Sequence, residues 1–111
     1  MTSFLGSWSI VDTQLWGADD LDLLGPPEIV FESDGLGSLR LGALEAGIDY
    51  RVTSDSRGPM AEFSWSGYDD GDLASGRGWA RIESGRLRGR LFIYLGDDSE
   101  FMAVRTESEE R

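Results

Sequence analysis

Along most of this chain, apolar and polar residues alternate one for one in short segments punctuated by glycine. Such alternation marks strands with one buried face. In residues 60–66, Ala61, Phe63 and Trp65 oppose Glu62, Ser64 and Ser66, and in residues 47–53 Ile48, Tyr50 and Val52 oppose Asp49 and Arg51. Ile29 and Phe31 share a face in residues 28–32, as Leu39 and Leu41 do in the next strand. Residues 4–11 are β-prone, but Leu5 and Trp8 are out of phase by one step, which predicts a bulge or a strand starting at Gly6. Glu100 to Arg105 forms the last strand.

The clearest hairpin joins residues 76–83 to 86–95 through Ser84-Gly85. A turn there sets Ile82 opposite Leu87, Ala80 opposite Gly89 and Gly78 opposite Leu91 on one face. The other face pairs Glu83 with Arg86, Arg81 with Arg88 and Trp79 with Arg90. Ser33-Asp34-Gly35, residues 55–59 and Asp97-Asp98 carry turn chemistry, and residues 67–75 read as a loop. One helix is expected, at residues 18–24: Asp19 or Asp20 would cap one or two turns bearing Leu21, Leu23 and Leu24, ended by Gly25-Pro26-Pro27.

Short strands in strict succession predict an all-β fold, an antiparallel up-and-down barrel of about eight strands, because closure removes exposed edges. A two-sheet β-sandwich is the alternative. Residues 1–105 form the single domain and 106–111 a disordered tail. Gly76, Gly78, Ala80 and Gly89 suit a tightly curved wall.

Composition narrows the chemistry. The chain has neither cysteine nor histidine, which removes disulfides, thiolate chemistry and the commonest general base and zinc ligand. Net charge is −11, every basic residue is arginine, and none precedes Arg40. Such a field repels nucleic acid and anionic membrane and favours basic partners. Residues 1–11 lack the basic and apolar regions of a secretory signal, and no apolar run approaches the ~20 residues that span a bilayer. A soluble, cytoplasmic protein is expected.

Gly6-Ser7-Trp8 in the first strand, with Arg105 near the end of the last, resembles the calycin pattern of lipocalin-like and avidin-like barrels. The resemblance implies that the tryptophan closes one barrel end, that the arginine packs across it, and that an internal cavity holds a small apolar ligand. The segments FSWSG, GRGWA and GDDS, with DDLDLLG upstream, are also similar to a group of small bacterial proteins without an assigned activity.

Arg77, Trp79, Arg81, Arg86, Arg88 and Arg90, continued by Phe92 and Tyr94, fall on one side of the hairpin. Arginine beside tryptophan suits cation–π contact and bidentate capture of carboxylate or phosphate. Arg81 opposite Arg88 is a costly like-charge pair that an anion site would explain. The competing reading pairs these arginines with acids such as Glu83, Asp49 or Glu62. Asp69, Asp70 and Asp72 resemble a cation site in composition, completed by Asp97 and Asp98 if both loops share a barrel end, but a solvated turn is the preferred reading and no bound metal is expected. Trp8 and Trp65 belong to the core, and Trp16 could lid the barrel.

The expected function is non-enzymatic binding of a small molecule or protein partner, without cofactor. An acidic inhibitor or immunity-type protein that binds a basic partner or mimics nucleic-acid charge is the alternative. A carboxylate-based hydrolase is a minor third, since no nucleophile–base pair is present.

Overall fold

A computed structural model describes residues 3–106. The expected disordered tail lies outside the described residues except for Thr106. That residue is bonded into the fold, its N–H to the Ser7 carbonyl at 3.0 Å and its hydroxyl to Ser9 at 2.8 Å.

Eight strands succeed one another as a closed antiparallel barrel: β1 (Gly6–Thr13), β2 (Glu28–Phe31), β3 (Leu36–Leu41), β4 (Leu44–Asp55), β5 (Gly58–Asp69), β6 (Asp72–Glu83), β7 (Arg86–Ile93) and β8 (Asp98–Arg105). Each strand pairs with the next, and β8 pairs back onto β1, so no edge is left open. The first strand starts at Gly6 and also carries a register shift between Ile10 and Asp12 against β8. The β6–β7 register agrees with the parity set by the Ser84-Gly85 turn: Arg81 faces Arg88 and Trp79 faces Arg90.

Two expectations are corrected. Residues 67–75 are not a loop, because β5 and β6 run on until only Asp70 and Gly71 turn the chain, both with positive φ. Tyr68 pairs with Leu73 and Gly67 with Ala74, so the ladder offsets the turn-like composition. The helix at 18–24 reduces to a 3-10 turn, Ala18–Asp20, and no α-helix forms among the described residues. Gly17 holds the capping position with no side-chain bond. Leu23 and Leu24 stay exposed, so only Leu21 of the expected apolar stripe packs on the core. Without an apolar face to bury, so short a helix cannot offset its nucleation cost.

Inward residues fill the barrel, with Trp8, Ile29, Phe31, Leu39, Leu87 and Leu91 among the most buried. The glycine wall works by pairing. Phe63 stands opposite Gly78, Trp65 opposite Gly76, and Phe101 opposite Gly89. A Cβ at Gly78 would lie 2.5 Å from the Phe63 ring, and one at Gly89 2.7 Å from Phe101. The aromatic rings thus occupy the volume that side chains on β6 and β7 would need.

One end is closed by the N-terminal segment. The Arg105 guanidinium stacks 3.9 Å from the Trp8 ring centroid. It donates to the carbonyls of Leu5 (2.6 Å) and Ser3 (2.8 Å), while the Trp8 indole donates to that of Phe4 (2.9 Å). Three consecutive carbonyls are thereby bound, and Phe4 is pressed onto Phe31. At the other end Trp16 packs on Gly42, whose φ of +60° and missing Cβ make room for the indole. No helix among the described residues is long and apolar enough to cross a membrane.

Candidate functional site: a groove on the outer wall

The outward positions of β6 and β7 carry the expected arginine strip, apart from Tyr94, which follows β7, and register decides the fate of each. Arg81 lies buried, with 6% of its surface exposed. It donates to the Asp55 carboxylate at 2.7 Å and to the Gly58 carbonyl at 3.3 Å. This bond, with the Arg57 backbone N–H behind it, holds the Asp55 carboxyl below the usual carboxylate range. Arg90 is paired with Asp98 at 3.1 Å and Glu100 at 3.6 Å. Arg57 takes Glu83. Arg81 and Arg90 are therefore engaged in ion pairs within the chain. The acids that neutralise the two are not those the sequence pointed to.

The Arg81–Arg88 opposition loses its force as a sign of an anion site, because the Arg81 charge is delivered sideways to Asp55. Arg88 remains exposed beside a cleft of about 150 Å³ that Asp12, Gln14 and Glu100 also line. Arg86 donates to the Met102 sulfur at 3.7 Å and forms no ion pair among the described residues.

Arg77 differs from its neighbours. Its lateral partners are Ser64 on β5 and Phe92 on β7, both uncharged. The guanidinium sits over the Phe92 ring, 5.5 Å from its centroid, and forms no ion pair among the described residues. Two clefts meet there. One, of about 380 Å³, is lined by Asp49, Arg51, Glu62, Trp79, Arg77 and Phe92 among others. The second, of about 630 Å³, runs from Ser64, Arg77 and Phe92 past Trp65 and Ser75 to Tyr94 and Asp97. Ser64, Arg77 and Phe92 belong to both, so the two form one groove across β4–β7. The Trp65 indole N–H, in a side chain that lines the second cleft, has no hydrogen-bond partner among the described residues. Of the expected site residues, Arg77, Trp79 and Tyr94 are brought to this groove. Asp49, Arg51, Glu62 and Ser64 join them; period-two alternation already put these four outward, but it takes the β4–β5 and β5–β6 registers together to bring them to the groove with Trp79.

Asp69, Asp70 and Asp72 surround the β5–β6 turn, with Asp69 directly opposite Asp72. Among the described residues no group of three or more acids is placed to hold a metal ion. Tyr50, which borders the groove, donates its hydroxyl to the Glu32 carbonyl at 2.5 Å. Burial and the nearby Asp34 and Glu32 charges raise its pKa.

In comparisons with known proteins, no protein family, no curated protein and no solved structure matches the chain.

Proposed function

We propose that this chain is a non-enzymatic binding module, and that it binds through the outer groove centred on Arg77 rather than through a lumen. One observation carries the reading: Arg77 combines an aromatic bed, uncharged lateral neighbours and, among the described residues, no acid partner where two clefts join. A guanidinium so placed captures a carboxylate or phosphate, and Trp79 and Phe92 offer flat faces for the rest of the ligand. The fitting ligand class is a small aromatic or heterocyclic anion. The filled interior weighs against the apolar-ligand reading that the calycin resemblance implies, whereas the Trp8–Arg105 stack is consistent with that resemblance at the closed end. A soluble, cytoplasmic setting fits the acidic surface and remains part of this proposal.

The test is a titration with naphthoate, followed by NMR shifts of the indole and guanidinium N–H groups. Shifts concentrated at Arg77 and Trp79, weakened about tenfold by Arg77→Gln, match the loss of a charged hydrogen bond. Binding unaffected by Arg77→Gln, or shifts centred on Trp8, would refute the groove.

A further inference from the structure

We propose that the barrel end carrying the β5–β6 turn and the β7–β8 loop is a docking surface for a protein partner that presents basic residues flanking apolar ones. The surface adjoins the Arg77 groove, with which it shares Tyr94, Leu95 and Asp97, but its chemistry is apolar and acidic rather than cationic. Its centre is apolar: Leu95 is 90% exposed, Leu73 81%, Tyr94 71% and Tyr68 55%. They come from β5, β6 and the start of the β7–β8 loop, all at this end of the barrel. Tyr68 pairs with Leu73, and the Tyr94 N–H donates to the Ser75 carbonyl at 2.8 Å, two residues along the same outer face from Leu73.

Leu95 is the sharpest part of this surface. Its φ is +58°, a conformation that leucine disfavours and that asparagine or glycine would adopt freely. The tight turn around it is fixed by the Gly96 N–H on the Ile93 carbonyl (2.9 Å) and the Ile93 N–H on the Asp97 carbonyl (3.0 Å). The side chain is strained at its backbone and hydrated almost in full. It thus contributes nothing within this chain that a turn residue would not supply better. A contact outside the chain accounts for both costs.

Charge chooses the occupant. Asp70 and Asp97 stand in the turns at this end, and Asp69 and Asp72 oppose each other on the other face of the same hairpin; none of the four has an ion-pair partner among the described residues. Acids held opposite each other disfavour the free protein and favour a cationic partner. A second copy would set two such rims against each other, and nucleic acid would be repelled. Because the barrel is closed, a partner cannot add a strand, so recognition falls to these side chains.

The test uses the intact chain and two labelled synthetic peptides, one alternating arginine with leucine and one alternating arginine with serine, read by fluorescence anisotropy. The proposal expects the arginine–leucine peptide to bind at least about tenfold more tightly, as burial of one large apolar side chain implies. Leu73→Ser and Leu95→Asn should each erase that advantage, and Leu95→Asn should do so with a melting temperature at or above wild type. Leu36→Ser, at an exposed position on the opposite end, should leave it intact. Equal binding of the two peptides would overturn the proposal, as would an advantage that survives Leu95→Asn. Sedimentation showing self-association that Leu95→Asn abolishes would give the surface to a second copy and overturn it too.

Discussion

Replacing Arg105 by alanine tests the closure of the barrel directly. The side chain stacks on Trp8 and donates to two carbonyls of the segment that covers the barrel end. At a partly exposed site the cation–π contact contributes about 0.5–1 kcal/mol. The two charge-assisted hydrogen bonds add about 0.5–1.5 kcal/mol each once their exposure is taken into account. Some of this is recovered when water reaches the freed carbonyls, which leaves an expected loss of about 2–3 kcal/mol. A urea slope of about 1–1.5 kcal/mol/M, ordinary for a small domain, turns that loss into a midpoint shift of about 2 M. Tryptophan fluorescence reports it, since Trp8 is buried beneath the arginine. Arg105→Lys keeps the charge and the stem but not the planar fork, so it should fall between wild type and alanine. A midpoint shift below about 0.5 M for the alanine variant would refute the clamp, because even the lowest sum of the stack and its two hydrogen bonds, about 1.5 kcal/mol, exceeds it.

The glycine wall predicts that Gly78→Ala destabilises by about 1–3 kcal/mol or more, since its Cβ would meet both the Phe63 ring and the Arg90 carbonyl. Gly71→Ala, with nothing within 4 Å, should show only the cost of its positive φ, and thermal melts of the two must rank in that order. The Asp55–Arg81 pair predicts a pH signature. Asp55 has a lowered folded pKa, so its stabilising contribution is present above about pH 4 and is lost as pH falls through the depressed value. Asp55→Asn should therefore be less stable than wild type at neutral pH, with the gap closing in acid. A gap independent of pH would exclude the ion pair as its cause.

The β6–β7 hairpin was legible because a two-residue turn at Ser84-Gly85 fixes the parity of every pair, and the structure follows that parity from Glu83–Arg86 to Gly78–Leu91. The same reasoning would have reached one strand further. Counting back from a turn at Asp70-Gly71 sets Phe63 against Gly78 and Trp65 against Gly76, the pairing that makes the glycine wall. Three aspartates and two glycines in residues 67–75 hid this, since turn-like composition outweighed the apolar Tyr68 and Leu73 placed symmetrically about the true turn. The arginine strip was readable as a face but not as a site, because ion pairing depends on residues one or two strands away. Arg90 lies beside Glu100 on β8, and Arg81 reaches past β5 to Asp55 at the end of β4. Arg77 escapes both fates because the positions flanking it are a serine and a phenylalanine. Acids outnumber bases about two to one in this chain, yet both residues directly beside Arg77 are uncharged, whereas Arg51 and Arg86 each stand opposite a glutamate.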